Sequence, residues 1–175
     1  MQDHQQEFLE VLEGAVRRES PTEGDPNDLI ACRDYFAGLF REIGFHVTTV
    51  KSLDPRFADH LLVEYGAGAG RAAEELAQWL KTRGRFPVPQ WEPSVGGASR
   101  QLLFGGHYDT VHEKGVFGDS LWNIEGDHAI GPGILDMKSG DVQVYLIAKA
   151  FQDLGLMPEG ARLAFLLTSD EEAAS

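Results

Sequence analysis

The chain has 175 residues, 42% hydrophobic and 25% charged, which is enough for one globular domain with a buried core. Its 15 basic and 28 acidic residues give a formal net charge of −13, which argues against nucleic acid and against an anionic membrane surface as partners. A single cysteine, Cys32, leaves no internal disulfide, no apolar run is long enough to span a bilayer, and M-Q-D-H-Q-Q-E at the start lacks a secretory pattern, so a cytoplasmic location is expected.

Phe8, Leu9, Leu12, Ala15 and Val16 fall on one face of a predicted helix over residues 5–18, which the prolines and glycine of E-S-P-T-E-G-D-P (19–26) break. A second helix carries Phe36, Leu39, Phe40 and Ile43 at helical spacing and stops at Gly44. Cys32 lies in this helix and reads as a small core residue. F-H-V-T-T-V (45–50) and D-H-L-L-V-E-Y (59–65) have strand character. The stretch 66–100 opens with glycine and alanine, holds a predicted helix over 71–81, and continues into F-P-V-P-Q-W-E-P. Its prolines exclude a central strand, so it reads as an insertion or an extended surface excursion.

From residue 101 the pattern sharpens. L-L-F-G-G (102–106) is a short buried strand, and L-W-N-I-E-G-D-H-A-I (121–130) is a hairpin turning near Gly126 and Asp127. Residues 138–154 form a helix, and A-R-L-A-F-L-L-T-S (161–169) is a strand apolar enough to be buried on both faces. Strand, helix, strand in that order is the signature of a parallel crossover, and hence of an α/β sheet.

Three polar clusters sit at the ends of these elements. G-G-H-Y-D-T-V (105–111) follows the first strand of the crossover, G-P-G-I-L-D-M-K (131–138) precedes its helix, and S-D-E-E (169–172) follows its second strand. Ligands collect outside the carboxyl ends of parallel strands. This topology therefore gathers His107, Asp109, Asp136, Glu171 and Glu172 around one crevice. Carboxylates crowded together repel, and a divalent cation relieves that cost. One imidazole with several carboxylates suits zinc, with manganese or cobalt as alternatives. Each cluster also has a plainer reading. Ser169 or Asp170 can cap a helix whose first turn holds Glu171 and Glu172, G-P-G can be only a turn, and His107 can be a hydrogen-bonded structural residue.

Taken together, G-H-Y-D-T-V, G-P-G-I-L-D-M-K and S-D-E-E-A-A-S resemble the dinuclear zinc peptidase family that includes glutamate carboxypeptidase, acetylornithine deacetylase, succinyl-diaminopimelate desuccinylase and aminoacylase. The resemblance is strongest over 101–175, and S-P-T (20–22) is also family-like. It implies a three-layer αβα sandwich with a mainly parallel central sheet and a site with two Zn²⁺. In that site His107 would be a terminal ligand of one zinc, Asp136 the bridging carboxylate and Glu172 a ligand of the second zinc. Asp109 would orient His107, and Glu171 would be the general base. The Asp136–Met137 peptide would be cis. The implied reaction is hydrolysis of an amide bond in a small peptide or an N-acyl amino acid. The family's later carboxylate and histidine ligands, and its lid and dimerisation domain, have no counterpart here. The chain is therefore expected to be the N-terminal part of a catalytic domain whose longer protein can form a homodimer.

Two other readings compete. L-L-V-E-Y-G-A-G-A-G-R-A-A-E-E-L (61–76) resembles the glycine loop of S-adenosylmethionine-dependent methyltransferases or of a dinucleotide-binding protein, with Glu64 just before Gly66, Gly68 and Gly70. A chain with part of a metal site can also be a non-catalytic interaction module.

Overall fold

The computed structural model of the chain describes residues 2–66, 69–70, 101–156 and 162–173. Two helices come first, α1 (Gln2–Val16) and α2 (Pro26–Glu42), then strands β1 (His46–Val50) and β2 (His60–Tyr65). Strand β3 (Gln101–His107), the hairpin β4 (Asn123–Glu125) and β5 (His128–Ile130), helix α3 (Ser139–Asp153) and strand β6 (Arg162–Thr168) follow. The helix expected over 71–81, and most of the insertion read over 66–100, lie outside the described residues.

Local chemistry explains where the elements start and stop. The Asp25 carboxylate caps α2 by accepting from the Asn27 amide at 2.9 Å, and Pro26 occupies the first turn, where no amide is needed. The hairpin closes through the two residues between Glu125 and His128, as the sequence indicated.

The four larger strands lie in the order β1-β2-β6-β3. Pairings β1–β2 and β2–β6 are antiparallel, and β3–β6 is parallel, with His107 opposite Thr168. The α/β class and the β3–α3–β6 crossover are borne out. The described sheet itself is mixed, with one parallel pairing of three, where a mainly parallel sheet was expected. The reason is that β1 and β2 form a meander whose direction depends on tertiary pairing and leaves no trace in local periodicity.

Residues that share a register also share a face. Leu61, Val63, Phe165 and Leu167 point to the same side and are buried with Leu12, Phe36, Phe40, Val142 and Tyr145 of the three helices. All three described helices thus cover one face, and the second helical layer of the expected sandwich is not among the described residues. Phe165 stacks on Phe104 with ring centroids 5.2 Å apart and meets Phe40 at 5.2 Å, so aromatic contacts tie α2 and β3 to the central strand. Burial along β6 alternates around Phe165 and Leu167, where uniform burial was expected. Cys32 is fully buried, as read from its place in α2. Among the described residues, no helix is long and apolar enough to cross a membrane.

Because β3 and β6 are adjacent and parallel, their carboxyl ends open side by side. The first and third polar clusters therefore sit next to each other. Gly106 allows the second to join them. A Cβ at this position would meet the Asp141 carboxylate in the first turn of α3, and Leu167 as well. Glycine here lets the start of α3, and the loop before it, close onto the strand end.

Candidate metal centre

His107 ends β3, and its ring is set by the residue two positions on. Nδ1 lies 3.1 Å from the Asp109 carbonyl oxygen and 3.3 Å from Asp109 Oδ1. A carbonyl can only accept, so Nδ1 carries a proton and donates, and Nε2 is the nitrogen turned outward. Nε2 lies 3.1 Å from Asp136 Oδ1 and 3.8 Å from Glu171 Oε2.

Asp136 arrives from a distorted single turn, Ile134–Lys138, with extended backbone at Asp136 itself (φ −126°, ψ 99°). This conformation carries the carboxylate away from the helical path and toward His107. The Asp136–Met137 peptide is cis, as the resemblance implied. Gly133 begins the turn at φ +69°, and its carbonyl accepts from the Lys138 amide at 2.9 Å. A Cβ at Gly133 would also meet the methyl of Thr110. Gly133→Ala is therefore expected to lower stability by at least about 1–2 kcal/mol, the cost of left-handed backbone for a residue with a Cβ. Urea unfolding checks this, and an unchanged midpoint would show that the turn relaxes freely.

Glu171 and Glu172 lie on a short turn, Glu171–Ala173, just past β6. Ser169 was one of two candidate caps for it, but its hydroxyl donates instead to the Ala58 carbonyl at 2.6 Å. The two glutamates then diverge. One ligating atom from each of His107, Asp136 and Glu172 falls within 4.8 Å of the others, and Glu171 stands beside this group with its side chain 59% exposed. Donors bound at about 2.0 Å to one tetrahedral ion stand roughly 3.3 Å apart, so the His107–Asp136 separation suits a shared cation. Electrostatics agree. Burial, followed by the nearby Asp136, Asp109 and Glu171 carboxylates, pushes the Glu172 carboxyl above its usual range, while His107 works against that.

His107 is pushed up to about 9, first by its hydrogen bond to Asp109 and against the effect of burial. Burial alone would raise Asp109. The hydrogen bonds from His107, Thr22 and the Glu172 amide, with the His107 charge, outweigh it and hold Asp109 below the usual carboxylate range. All five candidate residues thus meet at one place, His107 and Asp109 buried and Asp136, Glu171 and Glu172 toward solvent. A cleft lined by Pro21, Thr22, Thr110, Val111, Glu113 and Glu172 opens beside them.

Two contributors lay within stretches the sequence singled out, but with no role assigned to them. Lys138 is fully buried, and its ammonium donates to the carbonyls of Ala15 (3.3 Å) and Arg18 (2.9 Å), tying the Asp136 turn to the end of α1. Burial lowers its pKa, and burial raises that of the neighbouring Asp141. The segment 20–22 is the other contributor, and it runs parallel to Thr110 through a bridge at Pro21. The rival glycine loop meets different chemistry. Glu64 is buried and accepts from the Gly70 amide at 2.8 Å, so a carboxylate of the chain occupies the donor that a phosphate would need.

The segment that carries the constellation is similar to known proteins. Residues 103–175 match the model for "Peptidase family M20/M25/M40", and this segment holds all three motifs. Carboxypeptidase G2 from Pseudomonas sp. (strain RS-16) is 28% identical over 173 residues, covering 99% of this chain and 34% of that protein. Succinyl-diaminopimelate desuccinylase from Wigglesworthia glossinidia brevipalpis is 37% identical over 82 residues, 45% of this chain and 22% of that protein. Human carnosine dipeptidase 1 superposes with a TM-score of 0.66 at 19% identity, over 98% of this chain and 33% of that one. The metallo-carboxypeptidase Sso-CP2 from Sulfolobus solfataricus gives 0.64 at 15% identity, over 97% and 32%. At such identities these two structures speak for the fold alone. The chain thus spans about a third or less of the length of the proteins it matches, and the resemblance read from the three motifs is borne out.

Proposed function

From a chain that shares the motif-bearing segment of this peptidase family, we propose that it forms part of the catalytic domain of a longer metal-dependent amide hydrolase. The reaction is of carboxypeptidase or N-acyl-amino-acid deacylase type, on a small peptide or an N-acyl amino acid. The observation that carries this reading is the convergence of His107, Asp136 and Glu172 from three separate segments, with Glu171 beside them. The donor set suits zinc, with Co²⁺ or Mn²⁺ as substitutes. His107 would hold one cation and Glu172 a second, with Asp136 shared between them. Bound there, the pair would polarise the substrate carbonyl and lower the pKa of water. Glu171 takes a proton from the attacking water and passes it to the departing amine. Asp109 keeps the proton on His107 Nδ1, so that Nε2 is free to ligate. In this proposal, further ligands, a lid and a dimer contact come from polypeptide outside 1–175, consistent with a match that covers 34% of the carboxypeptidase. A cytoplasmic setting suits the one free, buried thiol of Cys32.

The test is metal binding against pH. A proton on Nε2 competes with the cation, and His107 is pushed up to about 9. The protonated form prevails below that pH, so metal affinity is expected to rise with pH by about tenfold per unit and to flatten near 9. At pH 7, binding should release about one proton per cation held by His107. Titration calorimetry with Zn²⁺ in two buffers of different ionisation enthalpy measures both. Absence of binding to the longer protein, or affinity flat between about pH 6.5 and 8.5, would refute the site.

A further inference from the structure

We infer that Thr22 is a positioning residue for this centre, fixing the Asp109 carboxylate so that one oxygen faces the His107 ring and the other accepts from the main chain of Glu172. The inference rests on the metal-site reading above and adds a residue 87 positions upstream of Asp109 and farther still from Glu172.

The two carboxylate oxygens of Asp109 have different partners. Oδ1 faces His107 Nδ1 at 3.3 Å. Oδ2 accepts from the Thr22 hydroxyl at 2.8 Å and from the Glu172 amide at 3.1 Å. The carboxylate therefore links the side chain of one candidate ligand to the backbone of another, and Thr22 supplies the only side-chain hydroxyl on Oδ2 among the described contacts. Asp109 is fully buried and Thr22 is 6% exposed, so water does not readily replace this donor.

The hydroxyl has one proton and two acceptors in reach, Asp109 Oδ2 at 2.8 Å and the Thr110 carbonyl at 3.1 Å. The Thr110 carbonyl already accepts from the Thr22 amide at 3.0 Å. Asp109 Oδ2 is both nearer and charged, which makes it the stronger acceptor. The Thr22 backbone is held independently. The Thr110 amide donates to the Ser20 carbonyl at 2.9 Å, and the Ser20 hydroxyl donates to the Tyr108 carbonyl at 2.6 Å. Removing the Thr22 hydroxyl thus leaves the segment docked and takes away one contact, the one to Asp109.

The test compares Thr22→Val, which keeps shape and loses the hydroxyl, with Thr22→Ser, which keeps the hydroxyl. In the metal-free chain, amide hydrogen exchange at Glu172 is expected to quicken by about fivefold or more in Thr22→Val, as its acceptor loosens, and to recover in Thr22→Ser. Exchange at Leu167 should stay unchanged in both. Co²⁺ affinity should fall by up to about tenfold in Thr22→Val, at the low end of the effect expected for a group acting through a ligand's partner, with a changed visible spectrum, and Thr22→Ser should restore both. Wild-type exchange at Glu172 in Thr22→Val overturns the inference. So does an equal rise at Leu167, which marks general loosening, or a Thr22→Ser chain as impaired as Thr22→Val, which marks packing. Unchanged Co²⁺ affinity in a Thr22→Val chain that binds Co²⁺ overturns it as well. If the longer wild-type protein takes up no Co²⁺ while Glu172 exchange still responds, the metal reading fails and the Thr22 link stands.

Discussion

Replacing Glu171 with Gln in the longer protein is expected to lower kcat by about 10²- to 10⁴-fold, the usual contribution of a positioned general base, while metal content stays at the wild-type level. The geometry separates Glu171 from its neighbour. Glu172, not Glu171, contributes to the group of ligating atoms with His107 and Asp136, and its amide is held by Asp109. The Glu171 side chain is 59% exposed and approaches His107 Nε2 only to 3.8 Å. Its removal leaves no buried group without a partner, so stability should change by no more than about 0.5 kcal/mol. Gln keeps the shape and loses the basic oxygen, so the proton has no acceptor. Steady-state kinetics and metal analysis on the same preparation decide the assignment. Rates within a few-fold of wild type would remove Glu171 from the mechanism. Loss of metal with loss of rate would show that the two glutamates have been assigned in the wrong order.

The parts of the centre legible in the sequence were those in which chemistry coincides with the end of an element. His107, Asp136 and Glu172 each follow or precede a periodic segment, and the crossover rule brings those ends together. What sets these motifs apart from their plainer readings is their joint position. What stayed hidden depends on pairing between distant segments. Thr22 and Asp109 are 87 positions apart, and a hydroxyl that orients a carboxylate leaves no periodic mark. Lys138 stood within a motif, yet nothing in D-M-K says that its ammonium is buried against the carbonyls at the end of α1. Lysine is among the residues least often buried, so composition points the other way. Glu64 shows the converse. Beside three glycines it resembled part of a nucleotide loop, but in the fold it serves the Gly70 amide. The direction of β1 and β2 was illegible for a related reason, because alternation defines a strand but not its partner.

Asp109→Asn is expected to have the second-largest effect, and its pH dependence says more than its size. In the wild type, Asp109 does two opposing things at neutral pH. It raises His107 to about 9, which favours the competing proton, and it holds Nδ1–H so that Nε2 points at the cation position. Asn removes the first effect and damages the second. With Thr22 and the Glu172 amide still donating to its oxygen, the Asn amide nitrogen is turned toward His107, where a donor meets a donor while the backbone carbonyl of residue 109 still accepts from Nδ1. The ring must then swing away or move its proton to Nε2, and either spoils ligation. Above about pH 9, where proton competition is spent in both proteins, the variant should bind Zn²⁺ about 10- to 100-fold more weakly. Near pH 7 the gap should narrow, because the variant no longer competes with a proton held up to about 9. Its affinity should then be almost flat above the ordinary histidine range, about 6.5. Zn²⁺ titrations of both chains from about pH 6 to 9.5 measure this convergence. Parallel curves with an unchanged slope would mean that something other than Asp109 sets the His107 proton, and the link from Thr22 through Asp109 to the ring would lose its middle term.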